Sequence, residues 1–600
     1  MSIVGTLEEL DVEQPAAMGI LRRGLRSTPE LRQGLKVTIA FALLSSLARL
    51  VLPVLIQQAI DGGITDGEVD VGFIVRAALG AGALVLTIYV LTVLTYRRVI
   101  ETAENTLLAT RLRAFEHIEK LSLAEHTSRK KGVLTARVTS DVETLAQFAQ
   151  WGALSWIVNS ALIVGTLVVM AFYSWQLALL TIVVYIPLLP ILRFIQRRQL
   201  LAYNTVRTRT GEVISQTSEA VVGAATIRAY GYQDSVRDQL EEGNWSLVDA
   251  QINAHKYFSV LGPTMDLFGG LATGLVVVVG VLLGPDVLTV GQLTAFLFLV
   301  TLLIQPIAQL GEVLDQTQTA LAGWWKILQT LDIEIDVKEP DPGIELPSGA
   351  PGVVLQDVNF RYRTGGQVLH GVSLEIEPGT SVAVVGETGS GKTTMAKLLA
   401  RLADPTSGAV LVAGHDLREI SAESRNAVVR MVPQDGFLFD TSLRENIRFG
   451  RPGSTDAEID QAVESLGLGD WVSTLPDGLD TAAGERGESI SVGERQLVAL
   501  IRAELADAGL LILDEATSAV DPETEVRMAA ALDRLSHGRT TISIAHRLST
   551  AERADTVVVM DLGQVVEAGS HEELLSAGGP YSELHADWVG NTQNSGRRAS

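Results

Sequence analysis

Residues 386–394 read Gly-Glu-Thr-Gly-Ser-Gly-Lys-Thr-Thr, directly after the apolar run Val382-Ala383-Val384-Val385. A buried strand that ends in glycines and turns into a helix leaves a nest of backbone N–H groups at the helix start, and such a nest suits phosphate oxygens. Gly386, Glu387, Thr388, Gly389, Ser390 and Gly391 make the loop. Lys392 can reach β- and γ-phosphates, the Thr393 hydroxyl can ligate Mg²⁺, and Thr394 carries the chain into the helix. A chance glycine-rich turn lacks this strand–loop–helix context.

Further along, the apolar run Leu510-Leu511-Ile512-Leu513 ends in Asp514-Glu515, and Thr540-Thr541-Ile542-Ser543-Ile544-Ala545 ends in His546. A carboxylate at the end of a buried strand can hold Mg²⁺ for phosphoryl transfer, and the second can polarise an attacking water. Either pattern alone is weak, since a lone histidine is more often a structural residue. Together, behind a phosphate loop in one α/β stretch, they place acid, base and polar groups at one edge of a sheet. His546 could there hold a γ-phosphate and its water in line.

The rest of the chain does not resemble a soluble enzyme. Its 600 residues exceed one core, 47% of them are hydrophobic, and the mean hydropathy is positive. The formal net charge of −23 argues against a nucleic-acid partner, whose phosphates demand basic faces. Cysteine is absent, so disulfides, thiolate nucleophiles and zinc–thiolate sites are excluded. The first 30 residues lack the apolar core of a cleaved signal peptide.

The apolar mass lies before residue 315. Six runs are long enough to span a bilayer, near Val37–Ala59, Ala77–Tyr96, Gly152–Phe172, Leu177–Ile195, Phe258–Leu283 and Val290–Leu310. The connections alternate between basic and non-basic. Arg22, Arg23, Arg26, Arg32 and Lys36 precede the first run, whereas Asp61–Val71 carries only acidic charge. Arg97, Arg98, Arg111, Arg113, Arg129, Lys130 and Lys131 follow the second, and Arg197, Arg198, Arg207 and Arg209 the fourth. The positive-inside rule then puts both termini in the cytoplasm of a cell with this chain in its cytoplasmic membrane. The long inward connections, Arg97–Trp151 and Gln196–Tyr257, read as helices that leave the membrane and turn back. Polar residues within spans are site candidates because they are expensive there; Arg49, Asn159, Asp266 and Gln305 qualify.

Four prolines and several acidic residues in Ile333–Gly352 mark a linker, and short β-rich runs from Val353 on mark an α/β domain. The expected layout is an N-terminal segment (1–30), an all-α six-helix transmembrane domain with cytoplasmic helical extensions (31–332), a linker (333–352), an α/β P-loop NTPase domain (353–589) and a disordered tail (590–600).

The ordered set Gly386–Thr394, Val432-Pro433-Gln434-Asp435, Ile490-Ser491-Val492-Gly493-Glu494-Arg495-Gln496, Leu511–Glu515, Ser518-Ala519-Val520-Asp521 and His546 resembles the motif series of an ATP-binding cassette (ABC) transporter. Six spans followed by one cassette resemble an exporter-type half-transporter, and Gly484-Glu485-Arg486-Gly487 resembles the short exporter loop that contacts the membrane domain. The likeness covers residues 20–588. It implies that Tyr362 stacks on adenine, that Gly386–Thr394 hold the phosphates of ATP, and that Thr393, Gln434 and Asp514 arrange Mg²⁺. It implies that Glu515 is the general base and His546 the switch histidine. Lys131–Asp141 and Glu219–Arg228 would lie near the coupling helices that meet the cassettes.

One motif departs from the family's Leu-Ser-Gly-Gly-Gln signature. Ser491 and Gly493 are kept, but Val492 is β-branched and resists positive φ, and Glu494 adds a carboxylate near a polyanion. Unit charges ~8 Å apart at an effective dielectric near 20 repel by about 2 kcal/mol. In the family each ATP lies between one chain's phosphate loop and the other's signature. A weakened signature beside a complete phosphate loop therefore favours a heterodimer with a second half-transporter over a homodimer. The expected function is ATP-driven export of a hydrophobic or amphipathic small molecule or lipid. The alternatives are a lipid flippase or lipid-linked precursor exporter, an ATP-gated regulator without vectorial transport, and an importer of exporter-like build.

Overall fold

The computed structural model describes residues 17–32, 34–65, 68–128, 131–284, 287–363, 365–434, 436–514, 521–545 and 548–588. Arg129, Lys130, Asp435, Glu515, Ser518, Ala519, Val520, His546 and the tail from Gly590 lie outside the described residues. The chain forms two units: one of Met1–Glu119 and Gly132–Asp332, the other of Lys120–Lys131 and Ile333–Ser600.

The first unit is helical. Among the described residues, six helices are long and apolar enough to cross a membrane: Pro29–Gly63, Val71–Glu119, Val133–Tyr173, Trp175–Val222, Gln233–Leu283 and Val290–Leu331. Each contains one of the six apolar runs. The second and fifth have 49 and 51 residues. At 1.5 Å per residue each is roughly 75 Å long, more than twice the thickness of a hydrocarbon core. The reading of the inward connections as helical extensions therefore holds. Leu50, Leu162, Met170, Leu177, Phe296 and Leu299 form the bundle core. Asp61, read from sequence only as part of an acidic connection, ties helix ends together. Its carboxylate accepts from Thr289 Oγ1 at 2.6 Å, the Gly291 N–H at 3.0 Å and Gln57 Nε2 at 3.2 Å. Gln57 Oε1 in turn accepts from Tyr173 Oη at 2.8 Å.

The second unit is α/β. Its strands are β1 (Val353–Arg361), β2 (Gln367–Ile376), β3 (Ser381–Val385), β4 (Ser407–Val412), β5 (His415–Asp416), β6 (Val429–Val432), β7 (Leu510–Asp514), β8 (Thr540–Ile544), β9 (Thr556–Asp561) and β10 (Gln564–Gly569). One sheet has the order β10-β9-β3-β8-β7-β6, antiparallel only at β9–β10; the other is antiparallel with order β2-β1-β4-β5. Strands covered on both faces need unbroken apolar runs, and β3, β7 and β8 are buried almost throughout. A second apolar cluster, around the fully buried Trp471, holds the helical part of the unit.

The stretch 333–352, expected as a linker, is fastened to the α/β unit. Glu339 accepts from Arg425 at 2.7 and 2.9 Å and from Arg401 at 3.1 Å. The Arg425 hydrogen bonds hold its carboxyl below the usual carboxylate range. Ile344 adds backbone bonds to Glu419 and Ser421. The segment Lys120–Lys131, next to the expected Lys131–Asp141, belongs to the second unit. The reason is local: the chain breaks after Glu119, buries Leu121 and Ser122, and forms the short helix Leu123–Ser128.

Candidate functional site

Strand register brings the motifs together. Ile544 pairs with Asp514 and with Val384, and Leu513 pairs with Val432. The carboxyl ends of β3, β8, β7 and β6 are thus level. They deliver the phosphate loop, Asp514 and the Gln434 segment to one edge, where open α/β sheets bind ligands. Ala545 also ends there; Glu515 and His546, which follow β7 and β8, are outside the described residues.

The loop requires its glycines. Gly386 has φ +148°, and a Cβ there would lie 2.1 Å from the Met560 carbonyl oxygen; Gly391, at φ +102°, caps the helix Lys392–Leu399. Lys392 is buried at the centre. Its ammonium donates to the carbonyls of Gly386 and Glu387, each at 2.8 Å, and lies 3.4 Å from Ser390 Oγ. Burial pulls its pKa below the usual ammonium range, opposed by the carboxylate of Asp514. An ammonium held inside a ring of glycine backbone is a cradle for a polyphosphate. With Thr393 in the first turn and Asp514 at the next strand end but one, the oxygen-only donor set is of the kind Mg²⁺ takes.

Tyr362 stands over a separate cavity of about 480 Å³, lined among others by Phe360, Lys397, Asp404 and Glu125. Its hydroxyl lies 3.1 Å from Thr394 Oγ1, and its ring packs edge-on to Phe360 at 4.8 Å between centroids. Lys397 holds its ammonium 5.9 Å from the tyrosine ring. Arg363 lies 2.7 Å from Asp336 and 3.7 Å from Glu125. Lys397, Asp404 and Glu125 carry no motif, and only the folded chain reveals them beside Tyr362.

The signature segment corrects one expectation. Ser491 caps the helix Val492–Ala506 with φ −62° and ψ 160°, and Val492 opens that helix without positive φ, so its branched side chain meets no backbone penalty. Glu494 is turned inward. Its carboxylate accepts from the Ser491 N–H at 3.0 Å and from Trp471 Nε1 at 3.2 Å, while its own N–H donates to Ser491 Oγ at 3.3 Å. Burial pushes its pKa up, but these donors outweigh it and leave the carboxyl below its usual range. The carboxylate is thereby held against its own chain by two neutral donors and stays ionised. Gln496, in the same helix, donates to the Gln434 carbonyl at 3.4 Å. Arg502 belongs to no motif. It donates to the Asn446 carbonyl at 2.6 Å, Asn446 Oδ1 at 2.7 Å and the Phe437 carbonyl at 2.8 Å, tying the signature helix to the segment after Gln434. Burial pulls its pKa down to about 10.

In the helical unit, Arg49, Asn159 and Gln305 line one cavity of about 370 Å³; Asp266, which is exposed, does not. Asn159 is 3% exposed and its Nδ2 has no partner among the described residues. Leu52, Ile56, Val158 and Phe298 give the same cavity an apolar wall.

Comparison with known proteins agrees with both halves. Residues 35–307 match the ABC transporter transmembrane region, and residues 369–518 match the ABC transporter family model. The ATP-dependent lipid A-core flippase of Syntrophus aciditrophicus is 33% identical over 79% of each chain. The fatty acid ABC transporter ATP-binding/permease protein of Mycobacterium tuberculosis is 35% identical over 80% of this chain and 76% of its own. A solved bacterial Atm1-family ABC exporter with ATP bound superposes with a TM-score of 0.76 at 28% identity, over 93% of this chain and 98% of that one. A phosphate loop at the edge of a parallel sheet, six membrane-length helices and these likenesses converge: the chain belongs to the ABC transporter superfamily, as an exporter-type half-transporter whose ATPase is coupled to transport.

Proposed function

We propose that the chain exports an amphipathic lipid or fatty-acyl compound with an acceptor-rich, anionic head, as one half of a dimeric ABC exporter in the cytoplasmic membrane. The observation that carries the substrate class is the cavity on Arg49 and Asn159. Among the described residues, Arg49 makes no ion pair and the buried donor Asn159 Nδ2 has no acceptor. A buried donor left unmatched costs about 1–3 kcal/mol, so the site favours a ligand that supplies oxygens to it. The apolar wall beside them suits an acyl chain. The names of the flippase and fatty-acid relatives point to the same class. Lipid flipping is the variant of this reading in which substrate enters from the inner leaflet. At the cassette, Gly386–Thr394 hold ATP, Tyr362 meets adenine, Thr393, Gln434 and Asp514 hold Mg²⁺, Glu515 acts as base and His546 as switch. When bound, Mg²⁺ would supply charge compensation for the phosphates. The termini and the cassette face the cytoplasm.

The test is transport in vesicles of a fluorescent anionic acyl lipid against a neutral-headed analogue. Arg49→Ala and Asn159→Ala each reduce transport of the anionic lipid about tenfold, in line with losing one hydrogen bond to a charged group, and leave the neutral analogue unchanged. Equal loss for both lipids removes the assignment of the head-group site.

The dimer reading rests on surfaces. The helix Ala224–Tyr230 at the second inward turn buries none of its residues, and Val221, Val222, Tyr230 and Tyr232 are exposed around it. The cassette unit leaves Phe437, Phe439 and Phe449 exposed, with Phe439 and Phe449 stacked at 4.5 Å. Apolar patches of this kind mark protein contacts, which supports a dimer. Val492, half-exposed at the signature helix start where the family has glycine, keeps the heterodimer as the favoured form. Purified alone, the chain should turn over ATP several-fold more slowly than with a second half-transporter whose signature is intact. Full turnover as a homodimer would defeat this.

A further inference from the structure

We propose that Glu552, His571 and His585 form a binding site for a divalent transition metal of the zinc class, outside the ATP site. One ring nitrogen from each histidine and one Glu552 carboxylate oxygen all lie within 4.8 Å of one another. His585 Nε2 is 3.9 Å from Glu552 Oε1, and the two imidazole centroids are 5.6 Å apart. Two histidines and a carboxylate are a donor set that zinc takes, with bonds of about 2.0–2.2 Å and a fourth position open to water. Ligand atoms on such an ion sit about 3.3 Å apart, so the set has to contract by at most about 1.5 Å. Glu552 and His585 can supply that movement, because Glu552 is exposed and His585 half-buried.

The site is held by a rigid neighbour. Tyr581 is fully buried, its N–H donates to Glu567 Oε2 at 2.9 Å, and its hydroxyl lies 2.7 Å from His571 Nδ1. When Nδ1–H donates to that hydroxyl, Nε2 of His571 keeps its lone pair for a metal, the usual role of a partner on the second ring nitrogen. Ser570 and Glu573 form the capping box that fixes the start of the helix His571–Ala577, and with it the position of His571.

Three elements meet at this site: the helix Leu548–Arg553, the helix His571–Ala577 and the helix 580–588. Ala551, Leu574 and Tyr581 from these elements share an apolar cluster with Val385, the last residue of the phosphate-loop strand, and with Ala545. A bound ion therefore fastens the C-terminal helix to the elements that flank the ATP-binding edge. An ion pair between Glu552 and His585, with the His585 ring tilted at 52° to that of His571, is the metal-free alternative for the same residues.

Equilibrium dialysis of the untagged full chain in detergent against zinc chloride decides between them. The parent takes up one more zinc per chain than His571→Ala/His585→Ala, at micromolar free zinc, and zinc raises the melting temperature of the parent only. His585→Gln, at a half-buried position, gives the same loss with ATP binding retained, which separates lost ligation from lost folding. Tyr581→Phe weakens zinc binding about tenfold through the unheld imidazole. Equal zinc uptake by the parent and the double variant overturns the site.

Discussion

Lys392→Ala abolishes ATP-driven transport and lowers ATP turnover by about a hundredfold or more, the scale of losing a preorganised charge at a developing anion. The structure explains why no neighbour substitutes. The ammonium sits inside the loop, held by the carbonyls of Gly386 and Glu387, with no other lysine or arginine in the segment 386–394. Its removal takes away both the charge facing the β- and γ-phosphates and the side chain that fills the ring. Measured ATP hydrolysis and vesicle transport should fall together, while the helical unit stays folded. Transport at the parental rate in this variant would refute the role assigned to Lys392.

The second large effect comes from a methyl group. Gly386→Ala places a Cβ 2.1 Å from the Met560 carbonyl oxygen, on a residue at φ +148°. Real side chains do not approach backbone oxygen so closely, and this φ is open essentially to glycine. The strand β3 and the strand β9 must separate locally, at a cost of about 3 kcal/mol from strain and overpacking. The displaced loop also loses its nest of N–H groups. The expected result is a lower melting temperature of the ATP-binding unit and loss of ATP binding even where folded protein is recovered. By contrast Gly389, where an added Cβ meets nothing within 4 Å, has only its φ of +92° to oppose substitution. A Gly386→Ala variant with parental melting and ATP affinity would show that the loop relaxes freely.

Much of this was legible from local pattern. The six apolar runs carry their own length and charge context, so each emerges as a membrane-length helix without knowledge of its neighbours. The strand–glycine–lysine stretch likewise encodes its own turn, because glycine, lysine and threonine in that order have few other uses. Arg49, Asn159 and Gln305 were distinguishable as polar groups in apolar runs, but nothing local separated them from Asp266. That distinction depends on which face each residue takes in the bundle.

The signature shows the boundary most clearly. Ser491-Val492-Gly493-Glu494 announces a helix start and an unusual pair of residues, and charge arithmetic then assigns Glu494 a repulsive role. Trp471 lies 20 residues or more upstream, and only packing brings its indole N–H to that carboxylate. The amino-acid order by itself determined the class of the protein, its two-part build and the chemistry of its phosphate loop, since these rest on contacts within a turn or two of chain. Tertiary structure alone decided the fate of Glu494, the grip of Glu339 on Arg401 and Arg425, and the meeting of Glu552, His571 and His585. Each of these depends on distant segments that share a few ångströms of space, and hydrogen bonding and charge act over that distance rather than along the chain.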